Sequence, residues 1–182
     1  MDRSRLLPAT ALALALAVAG CASTPAALPD PSSRPMPRVF GAEAVAVTEA
    51  YLTVPRPADE IDSVATWTAP GGETWLLATA KETHQIAVYD ADTGAYRLSF
   101  GGPGKGPGQF NRPNGIATFG DLLFVVERDN HRVQVLRLPD FAPVAMIGAD
   151  VLRSPYGLWL HEIAPGRLEM LVTDSFMADY RI

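Results

Sequence analysis

From Asp62 onward, apolar and polar positions alternate in short blocks. Runs of four to six residues rich in Val, Ile, Leu, Tyr and Trp are separated by Gly, Pro, Asp and Asn. The runs are Asp62–Trp67, Thr74–Thr79, Gln85–Tyr89, Tyr96–Phe100, Asn114–Ala117, Leu122–Val126, Arg132–Leu136, Pro143–Ile147, Tyr156–Trp159 and Glu169–Thr173. Short apolar runs bounded by turn residues predict strands. Beyond the N-terminal segment no window carries a 3.6-residue apolar period, so the chain reads as all-β. Asp90-Ala91-Asp92-Thr93-Gly94 predicts a hairpin turn, because Asp side chains bond their own backbone and Gly94 tolerates positive φ.

The pattern repeats. Lys81 to Tyr89 recurs, 47 residues on, as Arg128 to Leu136. Four predicted strands fill each unit, over about 60–100 and 111–148, and a third unit, 154–182, stops after its second strand. A repeat of this period made of short strands and tight turns predicts the four-stranded blades of a β-propeller. The segment Val39 to Val54 is expected to supply an outer strand that closes the ring.

The link Gly104-Lys105-Gly106-Pro107-Gly108-Gln109-Phe110, the strand Pro113-Asn114-Gly115-Ile116-Ala117 and the stretch Asp129 to Val135 together resemble the NHL repeat family. The glycines of the link permit turns that a Cβ resists, and Phe110 offers an apolar plug. The resemblance implies a ring of about six blades. About half of such a ring is present, and the chain is expected to be a truncated member.

The N-terminus changes the picture of where the protein works. Arg3 and Arg5 precede an apolar stretch ending in Val18-Ala19-Gly20-Cys21. A basic start, a short apolar run and a small-residue exit predict a secretory signal over 1–20. The last four residues resemble the lipobox of bacterial lipoproteins, which implies a lipid on Cys21. Ala22 follows, which in Gram-negative lipoproteins implies sorting to the outer membrane, facing the periplasm. Residues 21–37, rich in Ala, Ser, Thr and Pro, cannot bury a core and read as a flexible tether. The folded part is expected over 38–182. A net charge of −5 argues against a nucleic-acid surface.

The segment Asp59-Glu60-Ile61-Asp62-Ser63-Val64-Ala65-Thr66-Trp67 resembles the opening motif of the β-propeller phytases, in which clustered Asp residues precede Ala-x-Trp and bind calcium. Ser63 and Ala80 stand where that family has Asp, and Val64 where it has Pro. The resemblance implies calcium-dependent hydrolysis of phosphate monoesters such as phytate. Asp59, Asp62, Glu127 and Asp129 are the candidate metal ligands. Lys81, Arg128 and Arg132 are the candidate catalytic contacts to phosphate. Calcium prefers such oxygen donors and would activate a water, and Arg can hold phosphate oxygens bidentately.

Each of these residues also has a structural reading. Asp59 and Asp62 can cap the turn into the first strand. Glu127 to Arg132 can be a hairpin bonded to its own turn, and His84 and His131, equivalent by repeat, can do one packing job twice. The chain is therefore read as an envelope-anchored phytase-like hydrolase. The alternative is a noncatalytic NHL-type propeller that binds a protein, peptide or glycan on its loop face, or an inactive truncated remnant; a phosphorylated small molecule or a protein is the expected ligand. A shared fold does not carry activity with it.

Overall fold

A computed structural model describes residues 38–39, 42–43 and 46–176. The signal segment, the tether and Cys21 lie outside the described residues. Two compact units divide the chain, Met1–Thr48 and Glu49–Ile182. In the first, β1 (Arg38–Val39) pairs antiparallel with β2 (Ala42–Glu43).

The second unit begins with an extended segment and a single 3-10 turn, Pro57–Asp59. Two antiparallel four-stranded sheets follow. The first runs in the order β3 (Ile61–Thr68), β4 (Thr74–Ala80), β5 (Gln85–Asp90), β6 (Tyr96–Gly101). The second holds β7 (Pro113–Phe119), β8 (Leu122–Glu127), β9 (Arg132–Arg137) and β10 (Ala142–Ile147). A third sheet pairs β11 (Pro155–Ala164) with β12 (Arg167–Asp174).

Strand burial follows from position in the sheet. The middle strands β4, β5, β8 and β9 are covered on both faces, which is why they are near-continuous apolar runs. In β8 the alternation of faces divides the core. Leu123 and Val125 point into a cluster with Trp67, Leu77, Ile86, Val88, Phe110 and Leu136, toward the first sheet. Phe124 and Val126 point the other way and pack with Leu158, Leu160 and Val172 of the third. The sheets meet through their first strands. Thr118 Oγ1 donates to the Thr66 carbonyl at 2.7 Å, and Trp67 Nε1 to Asp121 Oδ1 at 3.0 Å.

The expected β-propeller is corrected here. The described residues of the second unit form three separate small sheets of four, four and two strands, and these do not close or curl into a ring. Among the described residues, no strand completes a ring from Val39 to Val54. β1 and β2 pair with each other, residues 46–56 carry no strand, and Val47, Leu52 and Val54 are exposed. At the other end the third sheet is a bare hairpin, with Trp159 and Leu171 more than half exposed. A ring needs each sheet face covered by a neighbour and its last edge paired, and among the described residues these conditions are not met.

Candidate functional site

The repeated charged stretches form the β4–β5 and β8–β9 turns. Both place a histidine in the left-handed region, His84 at φ 57° and His131 at φ 56°. Each turn is stitched to the segment just before its own sheet's first strand. The amides of Lys81 and Glu82 donate to the carbonyls of Glu60 and Asp59 at 3.3 and 3.1 Å, and those of Arg128 and Asp129 to Arg112 and Asn111 at 3.2 and 3.4 Å. The Ser175 amide repeats the contact with the Ser154 carbonyl at 2.9 Å. His84 Nδ1 accepts from the Arg112 amide at 3.1 Å. The repeat is thus a device that fixes each sheet's first strand to its second turn.

Glu127 is fully buried. Its carboxylate accepts from Arg132 Nε at 2.6 Å, Asn130 Nδ2 at 2.5 Å, Gln134 Nε2 at 3.1 Å and the Asn111 amide at 3.1 Å. Arg132 reaches on to the carbonyls of Lys105, at 2.7 Å, and Gln109, at 3.1 Å. Gln134 accepts from the Gly108 amide at 2.6 Å and donates to the Gln109 carbonyl at 3.1 Å. The buried pair and the amide together clamp the glycine-rich link, whose own turns leave these carbonyls without partners in a ladder. Sequence reasoning missed Gln134. Its signal was the repeat itself, which sets a polar side chain where the earlier unit has Ala87.

The remaining candidates are dispersed among separate partners. Asp59, buried, accepts from Arg56 Nε at 2.5 Å and Thr83 Oγ1 at 3.1 Å, and the Arg56 guanidinium lies 4.2 Å over the ring of Tyr96. The hydrogen bond to Asp59 raises the Arg56 pKa further above its ordinary value. Asp129 accepts from Arg128 Nε at 2.7 Å, which raises the Arg128 pKa in the same way. The four proposed calcium ligands do not converge. Among the described residues no group of three or more His, Cys, Asp or Glu side chains is placed to hold a metal ion.

One set of side chains does converge from different sheets. Asp62 Oδ2 accepts from Asn114 Nδ2 at 3.1 Å. Asp62 Oδ1 lies 3.7 Å from Lys81 Nζ and 3.5 Å from the Tyr156 hydroxyl. Asp62, Asn114 and Tyr156 are each the second residue of their sheet's first strand. Gly115 permits the close approach there: a Cβ on it would lie 2.8 Å from the Tyr156 carbonyl and 3.0 Å from Gly157 Cα.

Residues 110–136 match the family model of the NHL repeat. No curated protein matches. Among solved structures the chain is similar to Kuenenia stuttgartiensis hydrazine synthase, at 16% identity and a TM-score of 0.41, over 63% of this chain and 29% of that one. The chain thus spans under a third of that structure's length. The NHL match supports the repeat-family resemblance but does not extend to a phytase. With no closed ring, and no metal-holding cluster among the described residues, the phytase-like hydrolase expected from the sequence is overturned. The catalytic roles assigned to Lys81, Arg128 and Arg132 lose their basis with it.

Proposed function

We propose that this chain is a noncatalytic NHL-type binding protein, held at the cell envelope by a lipid on Cys21 and facing the periplasm. The observation that carries the reading is how the repeat's charges are used. Glu127 and Arg132 are spent on each other and on the loop they clamp, so the residues that suggested chemistry act as scaffold. Buried polar groups satisfied in this way rigidify a unit. The outcome is a firm frame that presents first-strand residues and turns to a ligand, which is what a binding module requires.

The test is direct. Purified protein incubated with phytate and with p-nitrophenyl phosphate, with and without millimolar calcium, is expected to release no phosphate above a buffer blank. Calcium-dependent turnover that is lost in Lys81→Met would overturn the reading.

A further inference from the structure

We infer that the outer face of the β11–β12 hairpin docks a second copy of this chain, which presents the open face of its β3. The contact continues between molecules the packing that already joins the sheets within one. It goes beyond the noncatalytic reading and does not depend on it.

The repeat supplies the register. Val64, Ile116 and Leu158 each stand two residues after the equivalent positions Asp62, Asn114 and Tyr156, and Thr66, Thr118 and Leu160 stand four after. In every sheet the first residue of the first strand pairs with the last residue of the second. That pairing aligns Thr79 with Val126 and Thr173, and Leu77 with Phe124 and Leu171. Within the molecule these positions are covered where sheets meet. Leu77 and Ile116 lie in the core between the first two sheets, and Phe124 packs with Leu158 between the second and third. At the two ends of the series the same positions are open, with Leu171 55% and Val64 58% exposed.

Two hydroxyls select the occupant. A reciprocal pair joins the first two sheets: Thr79 Oγ1 donates to the Asn114 carbonyl, and Thr118 Oγ1 to the Thr66 carbonyl, both at 2.7 Å. Between the second and third sheets Val126 and Leu160 stand at these places, so neither bond can form. Both hydroxyls are present on the free faces, Thr173 on the third sheet and Thr66 on the first. Thr173 Oγ1 accepts from the Gly157 amide at 2.9 Å, just as Thr79 Oγ1 accepts from the Ser63 amide at 3.0 Å. Thr79 then gives its hydrogen to the next sheet. The Thr173 hydroxyl has only the Gly157 carbonyl at 3.4 Å, too long for a good bond. Docked in the internal register, Thr173 would donate to the Asp62 carbonyl of the second copy. Thr66 of that copy would donate to the Leu160 carbonyl.

The shape of the free face agrees. Gly115 lets the third sheet approach the second, and Gly157 keeps the same position bare, where a Cβ would meet only Thr173 Oγ1 at 3.5 Å. A cavity of about 290 Å³ opens there, lined by Gly157, Trp159, Leu171 and Thr173 among others. Trp159 is larger than its equivalents Ala65 and Ala117, while Val64 is smaller than Ile116 and Leu158. An open Trp beside an open Leu suits the centre of an interface, where aromatic anchors carry most of the binding energy.

Two different faces make the contact, so it is heterologous, and each copy in a pair keeps one face free. That property gives the experiment. Full-length protein in nonionic detergent is followed by size exclusion with light scattering, the detergent mass being subtracted. The wild type is expected to rise with concentration to two copies or more. Val64→Glu and Leu171→Glu, both at exposed side chains and checked for folding by circular dichroism, are each expected to run as monomers. Mixed in equal amounts they are expected to form a one-to-one dimer, because the intact hairpin of the first variant meets the intact β3 of the second. A monomeric wild type would overturn the inference. Association that persists in Val64→Glu alone would assign a symmetric contact between hairpins and overturn it too, as would a mixture that stays monomeric.

Discussion

Arg132 shows how a residue chosen for chemistry can be taken up by structure. Its Nε bonds Glu127 at 2.6 Å, and its terminal nitrogens hold the link between the first two sheets. Both partners are nearly inaccessible to solvent. Replacing one member of such a pair leaves the other buried and uncompensated, at a cost of about 3–5 kcal/mol. Arg132→Met keeps much of the volume and removes the charge. It is expected to lower unfolding free energy by about that amount, read from the urea midpoint at constant m-value. A change below about 1 kcal/mol would put the pair among weak surface contacts. The half-buried Arg128–Asp129 pair offers the contrast, because solvent screening leaves contacts open to water little weight.

Between strands, the glycine-rich link is held by its ends. Gly101 sits at φ 94°, and a Cβ there would come within 2.4 Å of the Phe110 ring. Phe110 is fully buried and meets Phe100 edge-on at 6.2 Å, while Phe100 stacks on Phe141 at 4.4 Å. Gly101→Ala therefore has two faults. The clash costs about 1–3 kcal/mol, and the left-handed backbone adds about 1–2 kcal/mol for a residue with a Cβ. Limited proteolysis is expected to cut the variant within 102–109 at a protease level that leaves the parent intact, with a lowered melting temperature. Equal resistance would show that the ring of Phe110 yields without loss. Much at this scale was legible in the sequence. The ten apolar runs coincide with β3–β12 because the period of a strand and the chemistry of its turns are local. The glycine link and its Phe plug were legible for the same reason. Gln134, Asn114 and Tyr156 were not, because their roles arise from partners on other strands and other sheets.

At the scale of the molecule the same locality explains what the sequence misled about. A repeat specifies a unit. Whether units close into a ring depends on how many there are and how each sheet face is covered, and here three sheets stand in series without closure. Asp59, Asp62, Glu127 and Asp129 were acidic residues at strand ends, but the packing gives each its own basic or amide partner. The proposed function needs a binding face and the means of holding it at a surface. The latter rests on Cys21, the sole cysteine of the chain, which has no partner for an internal disulfide. It follows a basic start and a short apolar run, and precedes a segment rich in Ala, Ser, Thr and Pro. The proposed anchor is an acyl group on that thiol. One acyl chain gives only marginal membrane binding, so stable anchoring takes more than one. Cells fed a radiolabelled fatty acid are therefore expected to label the wild-type protein and not Cys21→Ser. The wild type should partition into the detergent phase of Triton X-114 and the variant into the aqueous phase. Label retained by Cys21→Ser would remove the anchor from the proposal and leave the binding face to act without one.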